Sequence, residues 1–161
     1  MITLRFYKNP PNILDVLIGK FTHGPYYHCA IVVAGTVFSS APARGGVYAF
    51  AESLDSADYD AVDLPETLAS TADIQNYYVL TKGLPYGYVD LVVNQVFNLE
   101  LSDAKASFCS EWCANALKIP RAEIYNPNSL FDLVNYLSKI IQTSTVSSLP
   151  TTQDFLYHGN N

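Results

Sequence analysis

The stretch YYHCAIVVAGTVFSSAPARGGVYAF, Tyr26 to Phe50, decides the fold. Three runs rich in β-branched and aromatic residues, HCAIVVAG, TVFSS and GGVYAF, are separated by Gly35 and by the turn-prone APARGG. Short runs of that kind, joined by connections this tight, pair as antiparallel neighbours. The segment therefore predicts three strands in a meander.

Upstream, NILDVLIGKFT at residues 12–22 places Ile13, Val16, Leu17 and Phe21 at helical spacing behind Pro10 and Pro11, so a short amphipathic helix is expected there. Downstream, another short strand is expected at Tyr59–Leu64, with Pro65, Glu66 and Thr67 opening a helical turn. The chain then turns mostly helical. Helices are predicted at about 71–82, 88–98 and 108–118, the last stopped by Pro120, and at about 128–141 with Asn128 or Ser129 as N-cap. The stretch TSTVSSLPTT, residues 143–152, is Ser/Thr-rich and broken by Pro150, which suits a linker or flexible tail. The expected class is α+β, a small antiparallel β-sheet packed against segregated helices. One domain is expected over residues 1–142, followed by a C-terminal tail at 143–161.

Composition narrows the function. At 161 residues the chain suits one core, and 49% hydrophobic against 15% charged residues is an ordinary globular balance. A formal charge of -6 without a lysine or arginine cluster speaks against a nucleic-acid partner, whose phosphates need a basic track. The longest apolar runs, LVVNQVF and CAIVVAG, fall well short of the roughly 20 residues that cross a bilayer, so no transmembrane segment is expected. The N-terminus MITLRFYKNPP lacks the apolar core and cleavage site of a signal peptide. Cys29, Cys109 and Cys113 make an odd count without paired spacing, and they read as reduced thiols.

One of these thiols is placed for chemistry. In KASFCSEWCANALKIP, Cys109 opens a predicted helix whose buried face is Trp112, Cys113, Ala116 and Leu117. A thiol at a helix N-terminus meets the positive end of the dipole and unpaired N–H groups, which favour the thiolate and suit an oxyanion. Cys113, one turn on, belongs to the apolar interior. A structural zinc site needs four nitrogen or sulfur ligands, and no CxxC pair or second ligand cluster exists, so no metal or other cofactor is expected. A thiol nucleophile needs a base, and the histidines are His23, His28 and His158. His158 lies in the tail and His23 in the turn THGP. His28 opens the strand YYHCAIVV, where a sheet can aim its ring at a helix N-terminus, although spacing alone fits a partly exposed strand histidine as well.

Taken in order, LIGKFTHGPYYHCAIVVAGTVFSSAPARGGVYAF, then GLPYGYVDLV, then FCSEWCANAL resemble the circularly permuted NlpC/p60 enzymes, a papain-like cysteine hydrolase family, in particular the small versions encoded by tailed phages. In that family a helix leads into a strand beginning with the catalytic histidine. A glycine-turned hairpin and a GGV-type strand follow, and the cysteine arrives last in a CSE motif. The match covers roughly residues 12–135 and is strongest at Pro25-Tyr26-Tyr27-His28, Gly45-Gly46-Val47 and Phe108-Cys109-Ser110-Glu111-Trp112.

The resemblance implies a permuted papain-like fold with Cys109 as nucleophile and His28 as base. Where the family places a polar residue to hold the imidazole, often glutamate, this chain has Ser39; Ser40, Glu52 or a backbone carbonyl are the alternatives. Glu111 fits a capping carboxylate as well as a catalytic one. Tyr86, Tyr88 and Asp90 in GLPYGYVDL are candidate substrate-binding residues, although with 12 tyrosines in the chain packing is the ordinary role for any one.

The implied activity is that of an amidase or endopeptidase on peptidoglycan peptide bonds. Two alternatives stand beside it: a lipid or acyl ester hydrolase or acyltransferase on the same fold, and an inactive structural domain of a virion, for which Ser39 in place of an acid is the favouring feature. Without an export signal, delivery as a tail component of the particle is expected, so other phage tail proteins are candidate partners. The segment 143–161, with Phe155, Leu156 and Tyr157, or the N-terminal strand is the expected attachment. The expected location is the virion tail, or the host cytoplasm before assembly.

Overall fold

A computed structural model describes residues 1–10, 16, 20, 22, 24–51, 58–86 and 108–147, with the side chains of 142 and 144–147 left outside the description. Five antiparallel strands form one sheet: β1 (Ile2–Tyr7), β2 (His28–Val33), β3 (Thr36–Ala41), β4 (Gly46–Ala51) and β5 (Tyr59–Leu64), in the spatial order β4-β3-β2-β1-β5. Helices α1 (Thr71–Thr81), α2 (Cys109–Ala116) and α3 (Pro127–Ser147) follow in sequence. The class is α+β, as the patterning predicts. The meander β2-β3-β4 forms where Tyr26–Phe50 places it, and β1 and β5 extend the sheet beyond it.

The two kinds of strand pattern have different causes. In ITLRFY only Ile2, Leu4 and Phe6 are buried, so β1 alternates as a strand with one core face does. In HCAIVV every residue after His28 is buried. Cys29, Ile31 and Val33 join the main core with Trp112, Ile74 and Leu130 from the helices. Ala30 and Val32 form a second cluster with Val37, flanked by Tyr7 and Phe50. A strand buried on both faces reads as a continuous apolar run.

The entry to β2 is held from three sides, and this fixes His28. The Asn128 side chain on α3 accepts from the Tyr26 N–H at 3.0 Å and donates to the Tyr26 carbonyl at 3.0 Å and to the Thr22 hydroxyl at 2.6 Å. Asn128 packs so closely on Gly24 that a Cβ there would overlap its side chain at 2.2 Å. From β5, Asp60 accepts from the Tyr26 hydroxyl at 2.5 Å and from Lys8 at 2.9 Å. From β1, the Tyr7 carbonyl accepts from the Tyr27 N–H at 3.2 Å. Loops anchored this way place a side chain to within a rotamer.

Several expectations change. Helix α3 begins at Pro127 with Asn126 as its cap: Asn126 Oδ1 accepts from the N–H groups of Asn128 and Ser129, and Ser129 Oγ accepts from the Asn126 N–H. Pro127 has no N–H to satisfy and suits the first helical position, so the cap falls before it rather than at Asn128 or Ser129. The same helix runs past its expected end at about 141 to Ser147, with the Thr143 hydroxyl donating to the Lys139 carbonyl at 2.8 Å. The N-terminal strand is hydrogen-bonded to β2 on one side and β5 on the other, which leaves it no free edge for attachment. Of the expected helix at 12–22, Val16 and Lys20 are described and helical. The helix expected at 88–98, Glu52 and residues 148–161 lie outside the described residues. Among the described residues no helix is long and apolar enough to cross a membrane.

Candidate active site

Cys109 is the first residue of α2, and this helix packs on β2 and β3 through a face dictated by its periodicity. Trp112 and Cys113 are fully buried, and Ala116 and Leu117 nearly so. The Trp112 indole N–H donates to the Thr81 hydroxyl at 3.0 Å, which in turn donates to the Tyr77 carbonyl, so α1 and α2 are locked together. The Ser110 hydroxyl donates to the Tyr125 carbonyl at 2.6 Å, which fixes the first turn of α2 from the other side. Phe108 stands at the N-cap and offers no side-chain acceptor to the first-turn N–H groups.

The imidazole of His28, the first residue of β2, is close enough to the Cys109 thiol to bear on its ionisation. Strand alternation puts Cys29 on the helix side, and it also meets Cys109. The neighbouring Cys29 thiol holds the Cys109 thiol well below its usual range. Burial opposes this shift, while the charge and hydrogen bond of the His28 imidazole and the Cys29 backbone reinforce it. Cys29 moves the opposite way, pushed up by burial and by its two sulfur neighbours, with Cys113 Sγ at 3.8 Å. All three cysteines are free.

The imidazole also meets two hydroxyls. Ser39 Oγ lies 3.4 Å from His28 Nε2, and Ser39 also donates to the Cys29 carbonyl at 2.6 Å. Tyr48 Oη lies 3.4 Å from the same nitrogen. Tyr48 stands directly opposite Ser39 in the β3–β4 register. Ser40, one residue on from Ser39, falls on the other face by strand alternation. His28 and Ser39 are thus in contact, and the imidazole bears on the Cys109 thiol. Tyr48, absent from the sequence-based set, joins them.

Of the candidate substrate-binding residues, Tyr86 packs edge-on against Phe108 with ring centroids 5.7 Å apart, next to the nucleophile. Tyr88 and Asp90 lie outside the described residues. Glu111 sits in the first turn of α2 and accepts from the Phe108 N–H at 3.5 Å, the geometry of a capping carboxylate. Among the described residues no group of three or more His, Cys, Asp or Glu side chains could hold a metal ion.

The thiol environment sets a labelling experiment. Iodoacetamide is expected to modify Cys109 first, and to keep doing so at mildly acidic pH, because a depressed thiol pKa leaves thiolate present where an ordinary thiol is protonated. Cys29, pushed the other way, should label only on unfolding. Peptide mapping after a short pulse checks this, and equal labelling of Cys29 and Cys109 would remove the case for Cys109 as the nucleophile. Comparison of the chain with protein-family models, with curated proteins and with solved structures returned no match.

Proposed function

We propose that the protein is a cysteine hydrolase of permuted papain-like architecture, an amidase or endopeptidase that cleaves peptidoglycan peptide bonds as a component of a phage tail. One arrangement carries the chemistry: a thiol at a helix N-terminus, held below its usual range with a contribution from the imidazole that opens β2. The substrate class rests on the resemblance of the ordered PYYH, GGV and FCSEW motifs to phage-encoded NlpC/p60 enzymes.

The reaction follows from these groups. His28 takes the Cys109 proton, and the thiolate attacks the amide carbonyl carbon. The carbonyl oxygen becomes an oxyanion facing the first-turn N–H groups of α2, which the N-cap Phe108 side chain does not satisfy. The imidazolium returns its proton to the departing amine as the C–N bond breaks, and a thioester to Cys109 remains. Water, deprotonated by His28, attacks the thioester and releases a carboxylate and the free thiol.

Purified protein incubated with sacculi is expected to release soluble muropeptides with new free amino groups, detected by dinitrophenylation, and Cys109→Ser to release none. Release of a fatty acid from phospholipid or an acyl ester, with no new amines, would replace the peptidoglycan reading with the lipid one.

A further inference from the structure

We propose that Tyr48 is a positioning residue: its phenol oxygen shares the Nε2–H of His28 with Ser39 and so fixes the tautomer whose Nδ1 lone pair receives the Cys109 proton. The inference rests on the reading of Cys109 and His28 as a catalytic pair.

The proton count around Ser39 drives the argument. Its hydroxyl hydrogen is committed to the Cys29 carbonyl at 2.6 Å, so towards the imidazole Ser39 has only lone pairs. A bond between them forms only if Nε2 carries the hydrogen. The Tyr48 oxygen is at the same 3.4 Å from that nitrogen. Each separation is long for a two-centre bond and ordinary for one N–H shared between two acceptors. With Nε2 protonated, Nδ1 is left as the basic nitrogen, and two neutral hydroxyls do the work that a carboxylate does elsewhere for an imidazole.

The phenol is built to stay in place. The Tyr48 ring stacks on Phe50 at 5.7 Å and 17°, and the Arg44 guanidinium lies over both rings, 5.6 Å from Tyr48 and 5.3 Å from Phe50. Burial pushes the phenol well above its usual range, so it remains a neutral hydroxyl while the thiol and imidazole exchange a proton. Among the described residues, the other titratable or charged groups around this pair are Tyr7 on β1, whose ring is 5.5 Å from that of His28, Tyr27 at 6.4 Å, Cys109 and Cys113 on α2, Cys29 on β2 and Arg44 before β4.

The test is the pH dependence of Cys109 alkylation by iodoacetamide, in the full chain, for wild type and Tyr48→Phe. Loss of one acceptor weakens the imidazolium that partners the thiolate, so the rate at about pH 6 is expected to fall about fivefold while the rate at about pH 10, where the thiol ionises unaided, stays the same. On sacculi, kcat should fall with KM unchanged. A rate unchanged at both pH values, or altered equally at both, overturns the proposal, because a packing defect has no reason to follow imidazole titration. Should Tyr48→Phe fail to fold, a ring-fluorinated tyrosine at position 48 keeps the shape with a poorer acceptor oxygen. It must then move the acid limb the same way or the proposal fails. Alkylation needs no substrate. Sacculi left uncut with the limb intact would remove the peptidoglycan reading and leave Tyr48 standing, whereas a wild-type profile identical to that of His28→Ala would remove both.

Discussion

His28→Ala is expected to lower kcat/KM on sacculi by about a thousandfold or more, as severely as Cys109→Ser and as the double variant, because a nucleophile and its base act as one unit. The fold should survive the change. His28 is half-buried at the open end of β2 and is not one of the buried core residues, so truncation leaves no large cavity. Its ring contacts are the neighbouring rings of Tyr7 and Tyr27 and the hydroxyls of Ser39 and Tyr48. The denaturation midpoint should therefore move little while turnover disappears. His23→Ala and His158→Ala, at positions that sequence reasoning leaves in a turn and a tail, should keep most activity. Activity of His28→Ala falling only in step with its folded fraction would show that the ring packs rather than reacts.

The parts of this site that were legible in the sequence are those carried by local signals. The run CAIVV announces a strand whatever its neighbours, and the spacing of Trp112, Cys113, Ala116 and Leu117 announces the buried face of a helix that starts at Cys109. Asn126-Pro127-Asn128-Ser129 offers several capping side chains in a row, and only the contact of Asn128 with Thr22 and Tyr26 shows that this residue is engaged elsewhere. The interior place of β1 depends on pairing with β2 and β5, which no local pattern encodes. Tyr48 lay within reach of counting. The pairing of Ala41 with Gly46 across the turn puts Ser39 opposite Tyr48, and a hairpin loop of fixed length sets that register. The contact of Cys29 with Cys109 joins residues far apart in sequence on two elements, and only packing α2 on the sheet brings it about.

Gly46→Ala is expected to be the most damaging single-methyl change among the described glycines of the β3–β4 turn. Gly46 has φ 136, a backbone conformation that L side chains rarely adopt. A Cβ there would lie 1.8 Å from the Leu84 carbonyl oxygen and 2.8 Å from its carbon, backbone atoms that no rotamer change can clear. That approach is itself a structural bond: the Val47 N–H donates to the Leu84 carbonyl at 2.9 Å, and the Gly83 N–H donates to the Val47 carbonyl at 3.3 Å. Adding the methyl forces residues 83–86 off β4. Strain together with the lost hydrogen bonds should cost about 3 kcal/mol or more, a midpoint drop of roughly 10 °C for a chain of this size. Gly45→Ala is the control. Gly45 is also left-handed, with φ 75, but has open space around it, so only the strain of about 1 kcal/mol applies. Because the displaced segment ends in Tyr86, which packs on Phe108 beside the nucleophile, Gly46→Ala should also lose activity beyond its loss of folded protein. Thermal denaturation of the two variants side by side decides it, and equal midpoints would show that the close approach of Leu84 to Gly46 carries no weight in the fold.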